Sequence, residues 1–195
     1  VWTTTPESAQ RICSIPLSDF QAAAFSLDDR TLAVSSGPEI HLCDPQTGAI
    51  RETLQPAGSI VSLLSWSPDG TTLAAGCEDN KVQLFTVGTR QSVSTCSGHT
   101  QPVASLGWAD GGKTLIAGGT GEVCVWDAQT GRLLHTIVDD CGAISADGRL
   151  IASRGQSAMR IWQADDAQLA RTIVALRDRQ YAAVSPDGHL RGSPD

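Results

Sequence analysis

The chain has 195 residues, of which 41% are hydrophobic, and it carries a formal net charge of -7 with a pI near 4.9. This composition belongs to a folded chain, and its acidic balance argues against a nucleic-acid backbone or an anionic membrane surface as the main partner. No apolar run in the sequence approaches the roughly 18 residues that cross a bilayer, which excludes a transmembrane helix.

The first residues, Val1-Trp2-Thr3, contain neither a starting methionine nor a signal peptide. We therefore expect the chain to come from the middle of a longer protein. Its cysteines are scattered without a Cys-x-x-Cys pair, and Cys43, Cys96 and Cys124 lie in apolar, strand-like runs. We interpret them as buried, reduced thiols, which fits a cytoplasmic location, although the sequence leaves disulfides open as an alternative.

Two sets of residues recur along the chain with a period near forty. The first set, spaced 41, 42, 41 and 36 residues apart, consists of Trp2, Cys43, Phe85, Trp126 and Trp162. The second set, spaced 41, 42, 36 and 40 residues apart, consists of Phe25, Trp66, Trp108, Ile144 and Val184. This self-similarity is the signature of a repeat protein, in which the periodic residues hold neighbouring units together and the surface binds partners.

In chain order, the first predicted element is the end of a unit at residues 1–16, with strands at Val1-Trp2 and Arg11–Ile15. Complete units of four strands are predicted at 17–56, 57–97, 98–139 and 140–178, and residues 179–195 are predicted to begin another unit. The unit at 98–139 is the clearest, because glycine-rich turns separate four short apolar strands. Four antiparallel strands joined by tight turns form one propeller blade. We therefore predict an all-β propeller segment of one domain, with four full blades and a partial blade at each end.

The last full unit has two unusual features. The spacing of 36 residues into it indicates a deletion in the loop around 138–141. Residues 165–176 have acids at the start and apolar residues at helical spacing, which is typical of an amphipathic helix. Their register against Leu133–Val138 of the preceding unit favours a strand, and we predict a strand there.

Gly98-His99, followed after a core of 26 residues by Trp126-Asp127, resembles the WD-repeat (Trp-Asp repeat) β-propeller family. The other units look like degenerate copies, so the chain resembles a divergent member, and we expect it to be bacterial. The resemblance implies a propeller of usually about seven blades, of which this chain is a fragment. It also implies structural roles for the repeat positions His99, Trp126, Asp127, Trp162 and Trp2.

The family's framework joins a histidine before the first strand, a serine or threonine on the second, an aspartate in the next turn and the tryptophan on the third. The unit at 98–139 has His99 and Trp126 but no aspartate in its turn, and the unit at 57–97 has Asp79 but Ala57 and Phe85 at the other positions. No unit carries the full set. We therefore expect these blades to depend on packing more than on polar ties.

Sequence motifs for catalysis, cofactors or metals are weak. The acid pairs Asp28-Asp29, Asp139-Asp140 and Asp165-Asp166 lie in predicted loops and are interpreted as solvated turn residues. The run Gly118–Gly121 lacks the lysine of a phosphate-binding loop, and the histidines form no ligand cluster. We predict no catalytic residue, no cofactor and no metal site.

The resemblance implies a non-catalytic scaffold that binds a protein or peptide, within a larger multidomain protein. By position in the repeat, it assigns a binding rim to Ser59, Glu78, Asp79 and Gln101. The alternative is an accessory propeller of an enzyme such as a prolyl-oligopeptidase-like hydrolase, because Ser-x-Asp-Gly turns occur there too. A hydrolase module elsewhere in the parent chain would favour that alternative. We expect open propeller edges, completed by the rest of the parent chain or by another chain.

Overall fold

The computed structural model describes residues 2–4, 9–11, 13–56, 58–89, 91–155, 158–175, 181–186 and 190–192. They divide into unit 1 (residues 1–95) and unit 2 (residues 96–195). Strands and turns dominate the described ranges, and their helical content is a single 3-10 turn at Asp110–Gly112. None of the helical segments described is long and apolar enough to cross a membrane.

Unit 1 contains three antiparallel sheets, and the last strand of the third ends one residue beyond the unit. A two-stranded sheet is formed by β1 (Trp2–Thr4) and β2 (Ala9–Arg11). Sheet 1 has the order β3 (Phe20–Phe25), β4 (Leu32–Ser36), β5 (Glu39–Cys43) and β6 (Ile50–Leu54). Sheet 2 has the order β7 (Val61–Trp66), β8 (Thr72–Cys77), β9 (Val82–Thr86) and β10 (Gln91–Cys96).

Unit 2 contains two further antiparallel sheets. Sheet 3 consists of β11 (Val103–Ala109), β12 (Thr114–Gly119), β13 (Val123–Asp127) and β14 (Leu133–Ile137). Sheet 4 consists of β15 (Asp140–Ile144), β16 (Leu150–Arg154), β17 (Ala158–Gln163), β18 (Leu169–Ala175), β19 (Tyr181–Val184) and β20 (Leu190–Gly192). The predicted all-β class is confirmed: sheets 1 to 3 are four-stranded antiparallel sheets of the WD-blade type, and the first four strands of sheet 4 have the same order.

The two periodic sets of residues lie side by side in sheets 1 to 4. Each row runs across the first three strands of a sheet. The first strand contributes a residue of the second set, the second strand an aliphatic residue, and the third strand a residue of the first set. The rows are Phe25–Leu32–Cys43, Trp66–Leu73–Phe85, Trp108–Leu115–Trp126 and Ile144–Ile151–Trp162. Because the rows are equivalent, the period in the sequence corresponds to a repeated layer of side chains.

Within each unit, neighbouring sheets share a hydrophobic core. In unit 1 the core of sheets 1 and 2 includes Ile40, Leu54, Val61, Leu73 and Phe85, all at most 2% exposed. In unit 2 the core of sheets 3 and 4 includes Ile116, Val125, Ile137, Ile151 and Ala164, all at most 3% exposed. In sheets 1 to 3 the second and third strands are buried on nearly every residue, which explains why their sequences are almost continuously apolar.

Three sheets use the same Ser-x-Asp turn between their first and second strands. In each, the serine hydroxyl donates a hydrogen bond to the aspartate (2.6–2.7 Å), and the serine oxygen accepts one from a backbone N–H five residues on (2.9–3.0 Å). The pairs are Ser26 and Asp28, Ser67 and Asp69, and Ser145 and Asp147. The serine hydrogen bond and then a backbone N–H hold the pKa of each aspartate below its ordinary value.

The two ends of the chain differ from the prediction. The second strand near the start is Ala9–Arg11, and the described part of Arg11–Ile15 beyond Arg11 is not strand. Residues 181–184 form a strand, but β19 pairs with β18 and extends sheet 4, where a new unit was predicted. The backbone groups on the outer edge of β18 would otherwise lack partners, and β19 satisfies them. Asp187 and Gly188 of the predicted turn lie outside the described residues.

The two unusual features of the last full unit are accounted for. Leu169–Ala175 is strand β18, which confirms the strand interpretation over the helix. Residues 138 and 139 alone join β14 to β15, whereas six residues join β6 to β7 and β10 to β11. The deletion therefore lies in the loop that enters sheet 4, as the spacing predicts.

Candidate functional site

The residues predicted to bind a partner lie at corresponding ends of sheets 2 and 3. Because the strands are antiparallel, the start of the first strand and the end of the second lie together. Register places Val61 beside Cys77, Val103 beside Gly119 and Asp140 beside Arg154. We call this the entry end of a sheet; it carries the loop into the first strand and the turn between the second and third strands.

At the entry end of sheet 2, three of the four predicted rim residues come together. The Asp79 N–H donates a hydrogen bond to Ser59 Oγ (3.2 Å), and the Glu78 N–H donates to the Ile60 carbonyl (3.0 Å). The Asp79 carboxylate pairs with Lys81 Nζ at 2.9 Å. One backbone hydrogen bond and one hydrogen bond to the Ser59 hydroxyl therefore tie the turn to the loop, and the exposed Glu78 and Asp79 present acidic side chains.

The fourth rim residue, Gln101, lies at the entry end of sheet 3 in unit 2. Its side chain is exposed, and its N–H donates a hydrogen bond to Glu122 Oε1 (3.0 Å). The Thr100 N–H and the Thr100 hydroxyl (2.9 Å) donate to the same oxygen. Glu122 therefore holds the loop that presents Gln101.

Glu122 is a residue that sequence reasoning missed. Burial raises its pKa, but the hydrogen bonds from Thr100 and Gln101, together with His99, outweigh this effect and leave the pKa below its ordinary value. Glu122, directly before β13, accepts the hydrogen bonds that hold the entry loop, a role that the family pattern gives to an aspartate in this turn. An acid immediately before an apolar strand was the available signal.

His99 and Trp126 keep structural roles through partners that differ from the family pattern. His99 Nδ1 lies 2.9 Å from Glu122 Oε1 and 3.0 Å from the Gln101 carbonyl, and since both are acceptors this nitrogen carries the hydrogen. The Trp126 Nε1–H donates to the Ser97 carbonyl (3.0 Å). A Cβ at Gly119 would lie 2.8 Å from His99 Cε1, so the end of the second strand packs closely against the imidazole and leaves no room for a larger residue there.

Sheet 4 contains a polar network, although the sequence predicts blades that depend on packing more than on polar ties. The Trp162 Nε1–H donates to Ser153 Oγ (2.7 Å), and the Ser153 hydroxyl donates to Asp139 Oδ2 (2.5 Å). The Arg160 guanidinium donates to the same carboxylate oxygen at 3.0 Å. Asp139 stands where the family has histidine, and Arg160 provides the opposite charge from the third strand. The network was not predicted because an acid stands at the family's histidine position and the basic partner lies on a different strand.

We expect Asp139→Ala to lower the free energy of unfolding by about 2 kcal/mol, because Ser153 and Arg160 would lose a charged partner in a site that is 8% exposed. The matched control is Asp140→Ala next to it, whose carboxylate is more exposed and whose loss should therefore cost clearly less than that of Asp139. Urea unfolding of both variants measures the difference. Equal losses at the two positions would contradict a network centred on Asp139.

The remaining structural repeat positions divide between turn and strand. Asp127 Oδ1 accepts hydrogen bonds from the Thr130 N–H (2.8 Å) and hydroxyl (2.6 Å), which closes the turn into β14. Asp44 closes the matching turn of sheet 1 with the N–H groups of Gln46 and Thr47. Trp2 lies in β1, and its side chain lies outside the described residues.

The described side chains offer little for catalysis. No group of three or more histidine, cysteine or acidic residues in the described ranges is arranged to hold a metal ion. Among the described cysteines, Cys43, Cys77, Cys96 and Cys124 are buried and form no disulfide. Burial raises the pKa of Cys77 and Cys124 to about 11 and that of Cys96 to about 12, so these thiols stay protonated near neutral pH and are poor nucleophiles.

These features are those of a β-propeller protein of the WD-repeat type. Its antiparallel sheets resemble WD blades, and hydrogen bonds at the entry ends hold the loops to the strands. The comparisons agree with that class. Residues 52–111 match the family model described as the anaphase-promoting complex subunit 4 WD40 domain. Together with the relatives that follow, this match supports the WD40 repeat family for this chain.

The chain is similar to several WD-repeat and complex-forming proteins of eukaryotes. It is 26% identical over 168 residues to the WD repeat-containing protein slp1 of Schizosaccharomyces pombe, covering 78% of this chain and 33% of that protein. It is 27% identical to the COMPASS component SWD3 of Saccharomyces cerevisiae, covering 80% and 52%. It is 36% identical over 78 residues to the retinoblastoma-binding protein 5 homolog of Drosophila melanogaster, covering 40% and 16%. The chain thus spans about half or less of each of these relatives.

Proposed function

We propose that this chain is a non-catalytic protein-interaction scaffold and that it binds its partner at the entry ends of its sheets. The observation that carries the proposal is the arrangement of Ser59, Glu78 and Asp79: the N–H groups of Glu78 and Asp79 are hydrogen-bonded to the entry loop, the latter through Ser59 Oγ, while both acidic side chains remain exposed. Gln101 has the same arrangement through Glu122. Loops held in this way present side chains at low entropic cost to binding.

The names of the relatives support a scaffold. One is named as a component of COMPASS and another as a retinoblastoma-binding protein, so assembly with other proteins is part of both descriptions. We extend this role to the present chain, with a protein or peptide as the partner. The net charge of -7 disfavours nucleic acid and anionic membranes as the main partner, because both would be repelled.

Several finer points of the proposal rest on the sequence. We propose that residues 1–195 belong to one propeller domain of a larger multidomain protein located in the cytoplasm. Arginine outnumbers lysine twelve to two, which is typical of a GC-rich genome and favours a bacterial and divergent member of the family. An enzyme-accessory propeller is the alternative, but its motif, the Ser-x-Asp turn, has a structural hydrogen-bonding role in three sheets.

We also propose that a further sheet covers the outer face of sheet 1. Phe20 and Phe25 on β3 are 62% and 50% exposed. Trp66 occupies the position of Phe25 in sheet 2, and its Nε1–H donates a hydrogen bond to the Ala24 carbonyl of sheet 1 (3.0 Å). This packing mode supports a blade from the rest of the parent chain, or from another chain, on the exposed phenylalanines.

The experiment compares cross-linking from the two ends of the sheets. A photo-reactive amino acid replaces Glu78 at the entry end of sheet 2 or Gln129 at the opposite end of sheet 3, and both are exposed. We expect a specific cross-linked protein from Glu78 in cells expressing the parent chain, and none from Gln129. The triple change Ser59→Ala, Glu78→Gln, Gln101→Ala should remove the partner when the photo-reactive group is at Asp79.

The three substitutions of the triple variant, made singly, also test whether the rim residues are surface residues that contribute little to stability. Each substitution should change the free energy of unfolding by no more than about 0.5 kcal/mol, as surface changes do. Gln46→Ala and Gln129→Ala at the opposite ends are matched controls. A larger loss at the rim positions would assign them to the framework, and cross-linking that survives the triple change would contradict the proposed binding end.

A further inference from the structure

The entry end of sheet 4 has a polar depression that the predicted rim does not include. Its volume is about 730 Å³, and its lining includes Gly121, Val138, Asp139, Asp140, Arg154 and Arg160. We call it the arginine cleft. It lies within unit 2, at the end of the sheet that the proposed function uses for binding.

The two carboxylates of the arginine cleft are already satisfied by the protein. Asp139 accepts hydrogen bonds from the Ser153 hydroxyl and from Arg160 and is 8% exposed. Asp140 accepts from the Gly121 N–H at 2.6 Å and from Arg154 at 3.3 Å. The Gly121 N–H and then Arg154 hold the pKa of Asp140 below its ordinary value, so this carboxylate is ionised near neutral pH.

The two guanidiniums have donors to spare. An arginine side chain carries five N–H donors in a planar fork. Toward the described residues, Arg154 and Arg160 each use a single hydrogen bond, to Asp140 and Asp139 respectively. The Arg154 side chain is 82% exposed and that of Arg160 is 38% exposed. The unused donors lie on the wall of the cleft, where a ligand with acceptor oxygens can reach them.

The surroundings restrict the kind of anion. Asp139 and Asp140 balance the two arginines, so the cleft supplies hydrogen-bond donors without excess positive charge, which suits a single carboxylate better than a doubly charged phosphate. Val138, at the rim of the cleft, is 85% exposed and offers an apolar contact. The net charge of -7 repels a polyanion at longer range.

We propose that the arginine cleft binds a peptide segment of the partner through a glutamate or aspartate side chain, with an apolar neighbour of that residue packed on Val138. This inference rests on the proposed scaffold function and adds to it the chemistry of the partner. Arg154 and Arg160 act as a fork that recognises the carboxylate, and Asp139 and Asp140 hold the two guanidiniums in place.

The experiment uses the full chain, immobilised, and four libraries of acetylated and amidated octapeptides. The libraries share randomised flanks and differ in a fixed central residue, which is glutamate, glutamine, phosphoserine or lysine. We expect the glutamate library to be retained about tenfold more than the glutamine library, the size of one charge-assisted hydrogen bond. Arg154→Gln and Arg160→Gln should each remove that preference.

Two controls keep the test independent of folding. Arg149→Gln removes an exposed arginine from the other end of sheet 4 and should leave retention unchanged. Arg154→Gln alters a side chain that is 82% exposed and should leave the unfolding transition in place, whereas Arg160→Gln also disturbs the Asp139 network. Loss of the glutamate preference in Arg154→Gln with an unchanged unfolding curve supports the cleft.

Several outcomes overturn the inference. These are equal retention of the glutamate and glutamine libraries, a loss in Arg149→Gln as large as in Arg154→Gln, and a phosphoserine library retained more strongly than the glutamate library. Cross-linking from Glu78 that persists in Arg154→Gln and Arg160→Gln would leave the scaffold function standing while the cleft fails. Absence of both cross-linking and peptide retention would remove the two proposals together.

Discussion

Trp126→Ala is expected to lower the free energy of unfolding by about 3–5 kcal/mol, the range found when a large aromatic side chain is removed from a core. The Trp126 side chain is fully buried, pairs with Leu115 across the sheet and lies with its ring centre 6.2 Å from that of His99. Alanine would leave a cavity among these contacts and the Ser97 carbonyl without its donor. Urea unfolding followed by circular dichroism measures the loss.

Trp126→Phe separates the two contributions. Phenylalanine keeps most of the aromatic volume but has no N–H to donate to Ser97, so it should cost about 1–2 kcal/mol. A loss below about 1 kcal/mol for Trp126→Ala would mean that the repeated row of side chains does not hold sheet 3 together. Such a result would also weaken the structural reading of Phe85 and Trp162 in the equivalent rows.

Gly148→Ala is expected to lower the free energy of unfolding by about 3 kcal/mol, while Gly70→Ala costs about 1 kcal/mol. The two glycines are equivalent residues of Ser-x-Asp-Gly turns, with φ of +69° and +70°. Both changes carry the cost of a left-handed conformation with a Cβ. A Cβ at Gly148 would also collide with the Trp108 carbonyl and lie 2.6 Å from Ala109 Cα, whereas nothing lies within 4 Å at Gly70.

The comparison of these two variants isolates packing between sheets 3 and 4. Since the turn and the backbone angle are matched, the difference in the free energy of unfolding reports the contact of Gly148 with Trp108 and Ala109. Unfolding of both proteins in urea, under the same conditions, measures this difference. Equal losses would show that the turn of sheet 4 lies farther from sheet 3 than described.

The candidate site was predictable only in part. Position in the repeat was sufficient to assign Ser59, Glu78, Asp79 and Gln101 to the entry ends, because backbone spacing sets which loops lie at that end. The residues that support and extend the site were missed. Glu122 reaches back to Thr100 and Gln101, and Asp139 reaches forward to Ser153 and Arg160. These partners are far apart in the sequence and meet only in the folded chain. A search for the family's residue types also overlooks Asp139, because an acid stands there in place of the family's histidine.

The amino-acid sequence by itself determined the four antiparallel units, the row of large side chains in each and the deletion before sheet 4. These features follow from local turn chemistry and from a period that places equivalent residues at the same register position in sheets 1 to 4. Only the tertiary structure decided that β19 joins β18, that Glu122 replaces a turn aspartate and that Arg154 and Arg160 share one cleft. Pairing at a sheet edge depends on which backbone groups lack hydrogen-bond partners once the sheets have formed, and ion pairing depends on which charged side chains lie nearby. Both are set only when distant parts of the chain come together.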